Sequence, residues 1–149
     1  MREISAGIVI FRRSGQGPKF LILYHGRGYW NFAKGKIESE EKSWEAAVRE
    51  IREETGLRLN DLKFKKKFKA YEKFVFNRGK ERIFKIVIFY LAEAKRPEVK
   101  ISHEHEGFGW FTYREALKIL GKYRDSQRVL TQANDSIRRG EKDDPSKVK

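Results

Sequence analysis

Glu50, Glu53 and Glu54 are the side chains with most to offer chemistry. At i, i+3 and i+4 on a helix, their carboxylates lie on one face and on adjoining turns. Three like charges so placed repel one another. Arg52 points to the opposite side, so the acidic face is expected to carry almost no compensating cation. A divalent ion removes that conflict, and hard carboxylate oxygens suit magnesium or manganese. Taken alone, such a trio is more simply a solvated acidic face. The spacing of its surroundings sets this one apart.

The element that must position these acids is a helix. No Gly or Pro interrupts the chain from Trp44 to Thr55, Ser43 is the expected N-cap, and Gly56 stands where the helix stops. Trp44, Ala47, Val48, Ile51 and Thr55 recur at helical spacing and form the expected buried stripe. Gly35 precedes the helix, Glu41 follows after five residues, and Arg49-Glu50 after seven more; Ile51, Glu53-Glu54 and Gly56-Leu57 close the run. This stretch, Gly35 to Leu57, resembles the Nudix box, with every specified position filled at the family's spacing.

The bulk composition is consistent with such chemistry. A chain of 149 residues is one domain's worth, and its net charge of +13 attracts polyanions such as nucleotides, nucleic acid or polyphosphate. A charge-rich chain with one Met and no Cys also has the composition of a thermophile protein, which accounts equally well for some of the lysines. With no cysteine there is no disulfide, zinc-thiolate site or thiol nucleophile. The N-terminus lacks the charged, apolar and cleavable series of a signal peptide, and the apolar runs Gly7–Phe11 and Ile86–Leu91 are too short to span a bilayer. A cytoplasmic protein with no membrane partner is expected, a monomer or a small homo-oligomer.

Along the chain, Ile4–Arg12 and Phe20–His25 read as strands joined by a Gly/Pro/Ser loop, Arg13–Lys19. A turn at Gly26–Gly28 leads through Tyr29–Lys34 into the box. Beyond the helix, Leu62–Phe76 alternates apolar residues with lysine, as a strand with one wet face does. Asn77–Lys80 is a hairpin signal and Arg82–Ala94 returns as a long strand. Ser102–Gly109 reads as a loop, Trp110–Thr112 as a short strand, and Tyr113–Leu120 and Asp125–Arg139 as helices. The pattern predicts a single α/β domain over 1–140 and a flexible charged tail over 141–149. It fits the Nudix fold, a mixed β-sheet sandwiched between α-helices.

The resemblance extends past the box. Trp30–Asn31–Phe32–Ala33–Lys34–Gly35 is similar to the Trp-x-x-Pro-Lys-Gly lead-in of the asymmetric dinucleoside tetraphosphate hydrolases, with Ala33 where that group has proline. Ser102–His103–Glu104–His105 followed by Trp110, and the opening run Ala6–Arg13, look like segments of the same group. The resemblance implies a magnesium-dependent hydrolase (manganese being the alternative ion) that splits diadenosine tetraphosphate into ATP and AMP. Glu50, Glu53, Glu54 and Glu104 would be metal ligands and catalytic acids; Glu50, Glu54 and Glu104 all remain candidates for the base. Glu41 and Arg49 are expected to form an ion pair that holds the box loop, with Gly35 and Gly56 as backbone positions. Lys34, by its match to the group, and Lys85, which interrupts an apolar strand, are the expected phosphate ligands, with Arg27, Lys36 and Arg82 as further cations. Phe74 and Phe108 fall near positions where the group places base-stacking tyrosines. His103 and His105 are expected to support the Glu104 loop, and nothing singles out His25. Two other outcomes compete: hydrolysis of the 5′ end of RNA, tracked by the lysines of Lys63–Lys69, and nucleotide or RNA binding without turnover.

Overall fold

The apolar run near the start of the chain forms β1 (Arg2–Ser14), which is buried on both faces because a separate core layer packs against each. There follow β2 (Gly17–Tyr24), β3 (Trp30–Asn31), β4 (Lys34–Lys36), α1 (Ser43–Thr55), β5 (Leu62–Phe64), β6 (Ala70–Arg78), β7 (Glu81–Ala94), β8 (Gly107–Thr112), α2 (Tyr113–Leu120) and α3 (Arg124–Asp143). This computed structural model describes residues 1–102 and 105–143. The sheet runs β3-β2-β1-β7-β5, with β4 paired to β1, β6 to β7 and β8 to β2. Only β1 and β7 are parallel among these pairs, so the sheet is mixed, as the sequence predicts.

Side-chain alternation on the strands divides the core into two layers. Ala6, Ile8, Ile10, Leu21 and Leu23 pack against Ala46, Ala47 and Ile51 of α1. Val9, Phe11, Phe20, Ile22, Phe89 and Leu91 pack against Ala116 and Leu120 of α2 and Val129, Leu130, Ala133 and Ile137 of α3. The sheet is therefore sandwiched between helices. No helix among the described residues is long and apolar enough to cross a membrane.

Several details depart from the sequence reading. The supposed loop Arg13–Lys19 is mostly strand: Ser14 pairs with Gly17, leaving Gly15 and Gln16 as a two-residue turn. The stretch Leu62–Phe76 is not one strand but two. Phe64 pairs with Ala92 and Ala70 with Phe89, so residues 65–69 bulge opposite just Tyr90 and Leu91, and the lysines there belong to a turn rather than a track. Trp44 is 46% exposed, and Ala46 and Ala47, both fully buried, make the close contact with the sheet instead. Ser43 is the first helical residue rather than the cap, its hydroxyl paired with that of Tyr90. The preceding Lys42 holds the N-cap position, with its N–H donating to Glu45 at 2.9 Å. At the other end Gly56 adopts φ +76 and donates to the Arg52 carbonyl at 3.0 Å, the left-handed cap its type favours. The helix α3 continues through Gly140 to Asp143, into the segment expected to be tail; residues 144–149 lie outside the described residues.

Candidate active site

β4 is an edge strand whose ladder partner among the described residues is β1. Its pairs are Ser5↔Lys36, Ala6↔Gly35 and Gly7↔Lys34. The pleat therefore turns Gly35 toward α1, with Ala6, and turns Lys34 and Lys36 toward the face carrying α2 and α3.

Gly35 is needed for space rather than for backbone freedom, since its φ is not positive. A Cβ added there would lie 2.0 Å from the Glu50 carboxyl carbon and 2.3 and 2.4 Å from its oxygens. Glu50 fills the place a side chain would take, its own side chain 15% exposed. Burial pushes its carboxyl above the usual value, ahead of the opposing pull of the Arg49 guanidinium.

Arg49 corrects the expectation of an uncompensated acidic face. Its Nε and Nη2 donate to both Glu41 oxygens at 2.7 and 3.1 Å, forming the anticipated pair. Nη1 also reaches Glu50 at 2.9 Å and Glu53 at 3.3 Å, and Nη2 reaches the Lys36 carbonyl at 3.0 Å. One guanidinium thus ties the edge strand, the connecting loop and the acidic helix together. The same contact holds the Glu41 carboxyl below its usual range. Arg49→Lys removes the planar fork. It is expected to cost about 2 kcal/mol, the scale of lost charge-assisted hydrogen bonds, read as a lower denaturation midpoint.

The three box carboxylates diverge. Glu53 is 53% exposed, whereas Glu54 is buried and lies 4.0 Å from His105 Nε2. His105 Nδ1 is 3.1 Å from Ser102 Oγ, and Ser102 N–H donates to the Glu54 carbonyl at 3.2 Å, so the post-box loop clasps the end of α1. The His25 ring packs edge-on to His105 at 4.6 Å; burial, then His105 and Lys34, push its pKa down to about 4. Glu104 and His103 lie outside the described residues. Among the described residues no three His, Asp or Glu side chains converge closely enough to hold a metal. The donor set still suits a hard cation: carboxylate oxygens on adjoining turns, one of them lodged in the cradle that Gly35 leaves open.

Across β4 lies a cleft of about 560 Å³, lined by Tyr29, Asn31, Lys34, Glu72, Phe74 and Tyr123 among others. Lys34 thus sits on the strand that separates cleft from acids. Lys85 pairs with Glu3 on one side and Phe74 on the other and is partly buried, which lowers its pKa, as does Lys34 nearby. Lys36 lies 3.6 Å from Glu3. Arg27, at φ +54 in the turn before β3, and Arg82, next to the β6–β7 hairpin end, do not line the cleft. Phe74 and Phe108 are separated by the sheet. Phe74 shares the phase of Ala70 and Glu72, facing α3, whereas Phe108 shares that of Trp110, facing α1. Sequence reasoning missed Glu72, Ser126 and Asn31. The available signal was phase: Glu72 and Ser126 fall where β6 and α3 otherwise bury apolar residues.

An acidic helix behind a glycine edge strand, opposite an aromatic and cationic cleft, defines a class of phosphate-processing enzyme. The NUDIX domain matches residues 1–133, and the chain belongs to the Nudix hydrolase family, which acts on phosphoanhydride bonds. It is similar to the asymmetrical bis(5′-nucleosyl)-tetraphosphatase of Sus scrofa, 31% identical over 140 residues, covering 87% of this chain and 92% of that one. The Mus musculus counterpart is 29% identical over the same shares. Among solved structures, a C. elegans Ap4A hydrolase binary complex superposes with TM-score 0.77 at 27% identity, covering 93% of this chain and 98% of that one.

Proposed function

We propose that the protein is a divalent-cation-dependent hydrolase of bis(5′-nucleosyl) tetraphosphates that cuts diadenosine tetraphosphate asymmetrically into ATP and AMP. The observation that carries this reading is the seat of Glu50 against Gly35, which sets an acidic helix directly behind the cationic edge strand. Glu50, Glu53 and Glu54, with Glu104, would hold magnesium or manganese. Such an ion neutralises phosphate charge and lowers the pKa of bound water. Lys34 and Lys85 would hold the phosphates that the cation does not, and Lys34 would carry the chain of phosphates across β4 toward the cleft. Aromatic walls at Tyr29, Phe74 and Tyr123 offer stacking surfaces for a base. One carboxylate among Glu50, Glu54 and Glu104 takes the proton of the attacking water. The relatives that match over most of the chain are named for this substrate class.

The deciding experiment supplies diadenosine tetraphosphate and a 5′-triphosphorylated RNA at equal concentration, with magnesium, in heavy-oxygen water. ATP and AMP are expected from the dinucleotide, with label in one product marking the attacked phosphorus. Absence of ATP release would overturn the assignment. Preferential release of pyrophosphate from the RNA would favour the RNA-end activity, and binding of either without turnover would favour a sensor.

A further inference from the structure

The cleft holds an acid that the reaction above leaves unused. Glu72 is 3% exposed, between Ala70 and Phe74 on the inward phase of β6. Its Oε1 accepts from Ser126 Oγ at 2.8 Å; burial pushes its carboxyl above the usual value, against the opposing pull of Lys34, Ser126 and Arg128. Ser126 and Asn31 are buried beside it. Asn31 is already committed, its Nδ2 donating to the Tyr29 hydroxyl at 2.8 Å and its Oδ1 accepting from the Phe32 N–H at 2.7 Å.

Burying a carboxylate against a serine hydroxyl costs free energy unless further donors arrive. A carboxylate has about four acceptor positions, and Ser126 uses one. The remaining capacity opens on a cleft walled by Tyr29, Phe74 and Tyr123, whose rings suit a flat ligand. A flat ligand that donates twice along one edge fits best. Guanine presents N1–H and its 2-amino group side by side; adenine presents one amino group next to the N1 lone pair, which an ionised carboxylate repels.

We propose that Glu72 is a specificity-determining residue of the cleft, selecting guanine over adenine at one end of a dinucleoside polyphosphate. The inference rests on the proposed hydrolase function for the identity of the polyphosphate, but the base preference is separable from it. The test measures dissociation constants of GMP and AMP for the full chain and for Glu72→Gln. Glutamine keeps an oxygen for Ser126 and replaces the other acceptor by a donor, which matches adenine's edge. The wild-type protein is expected to bind GMP at least about fivefold more tightly than AMP, the low end for a good bidentate base contact. Glu72→Gln is expected to abolish or reverse that ratio, and kcat/KM for diguanosine over diadenosine tetraphosphate should move in step. If the glutamine variant does not fold, Glu72→Asp, which withdraws the carboxylate by one methylene, reads the same ratio and should collapse it. Equal affinities in the wild type, or a ratio unmoved in a cooperatively folding variant, would overturn the proposal. A merely structural Glu72 would lower the melting temperature and leave the ratio alone. Failure of the hydrolase reading shows separately, as no cleavage of either tetraphosphate while the mononucleotide ratio stands.

Discussion

Glu50→Gln is expected to lower kcat for diadenosine tetraphosphate by at least about a hundredfold, the scale of a lost general base or metal ligand. The same change should not lower the melting temperature measured without divalent cations. Burial holds the folded-state pKa of Glu50 above its ordinary value of 4.5, so its ionised form is less welcome in the folded protein than in the unfolded chain. Any stability from this group is present at pH below 4.5 and is lost as pH rises through the raised folded value. Glutamine carries no such dependence. Melting temperature followed from pH 4 to 7 should therefore fall less steeply in the variant, while turnover at neutral pH collapses. A variant with wild-type turnover would remove Glu50 from the machinery. Glu53→Gln and Glu54→Gln in the same assay show how the work is divided among the three acids.

Gly35→Ala is expected to injure stability and activity together. The added methyl would occupy the Glu50 carboxyl, 2.0 Å from its central carbon, so the carboxylate or the edge strand must move. Overpacking of this kind costs about 1–3 kcal/mol. Because Glu50 shares a guanidinium with Glu41 and Glu53, its displacement also disturbs Arg49. A misplacement of about 1 Å in such a site is worth roughly a hundredfold in rate. Chemical denaturation and steady-state kinetics on the purified variant read both losses. Gly56→Ala serves as the contrast: it strains a left-handed helix cap while meeting Lys100 only at ordinary contact distance, 3.5 Å from its Cβ, so it should cost stability with a smaller loss of turnover.

Much of the fold was legible because local chemistry and tertiary demand agree in these segments. The limits of α2 coincide with Tyr113–Leu120, and Asn77–Lys80 does mark the β6–β7 hairpin, with Arg78 opposite Glu81. Periodicity failed where the backbone departs from one register. Lys65–Lys69 keep an approximate alternation while bulging out of the ladder, which a pattern of residue types does not reveal. At the site, spacing indicates the acids on α1 but pairs Arg49 with Glu41 alone. Its reach to Glu50, Glu53 and Lys36 depends on where β4 lies, which no single segment encodes. Sequence alone makes Gly35 a backbone position, whereas its importance is steric and comes from a residue fifteen places later. Phe74 and Phe108 look equivalent as isolated aromatics; their strand phases put a sheet between them.

The parallel ladder of β1 and β7 has a consequence for biosynthesis. Arg2 pairs with Phe84 and Phe11 with Glu93, so β1 waits for β7, far along the chain, before its central place in the sheet exists. Until then its apolar stretch, and much of the surface meant for α2 and α3, stays uncovered. Such non-local pairing is slow to form and prone to association with other nascent chains. Completion of the sheet therefore waits for β7, and production in the cell should respond to synthesis rate and chaperone supply more than the finished domain's stability suggests.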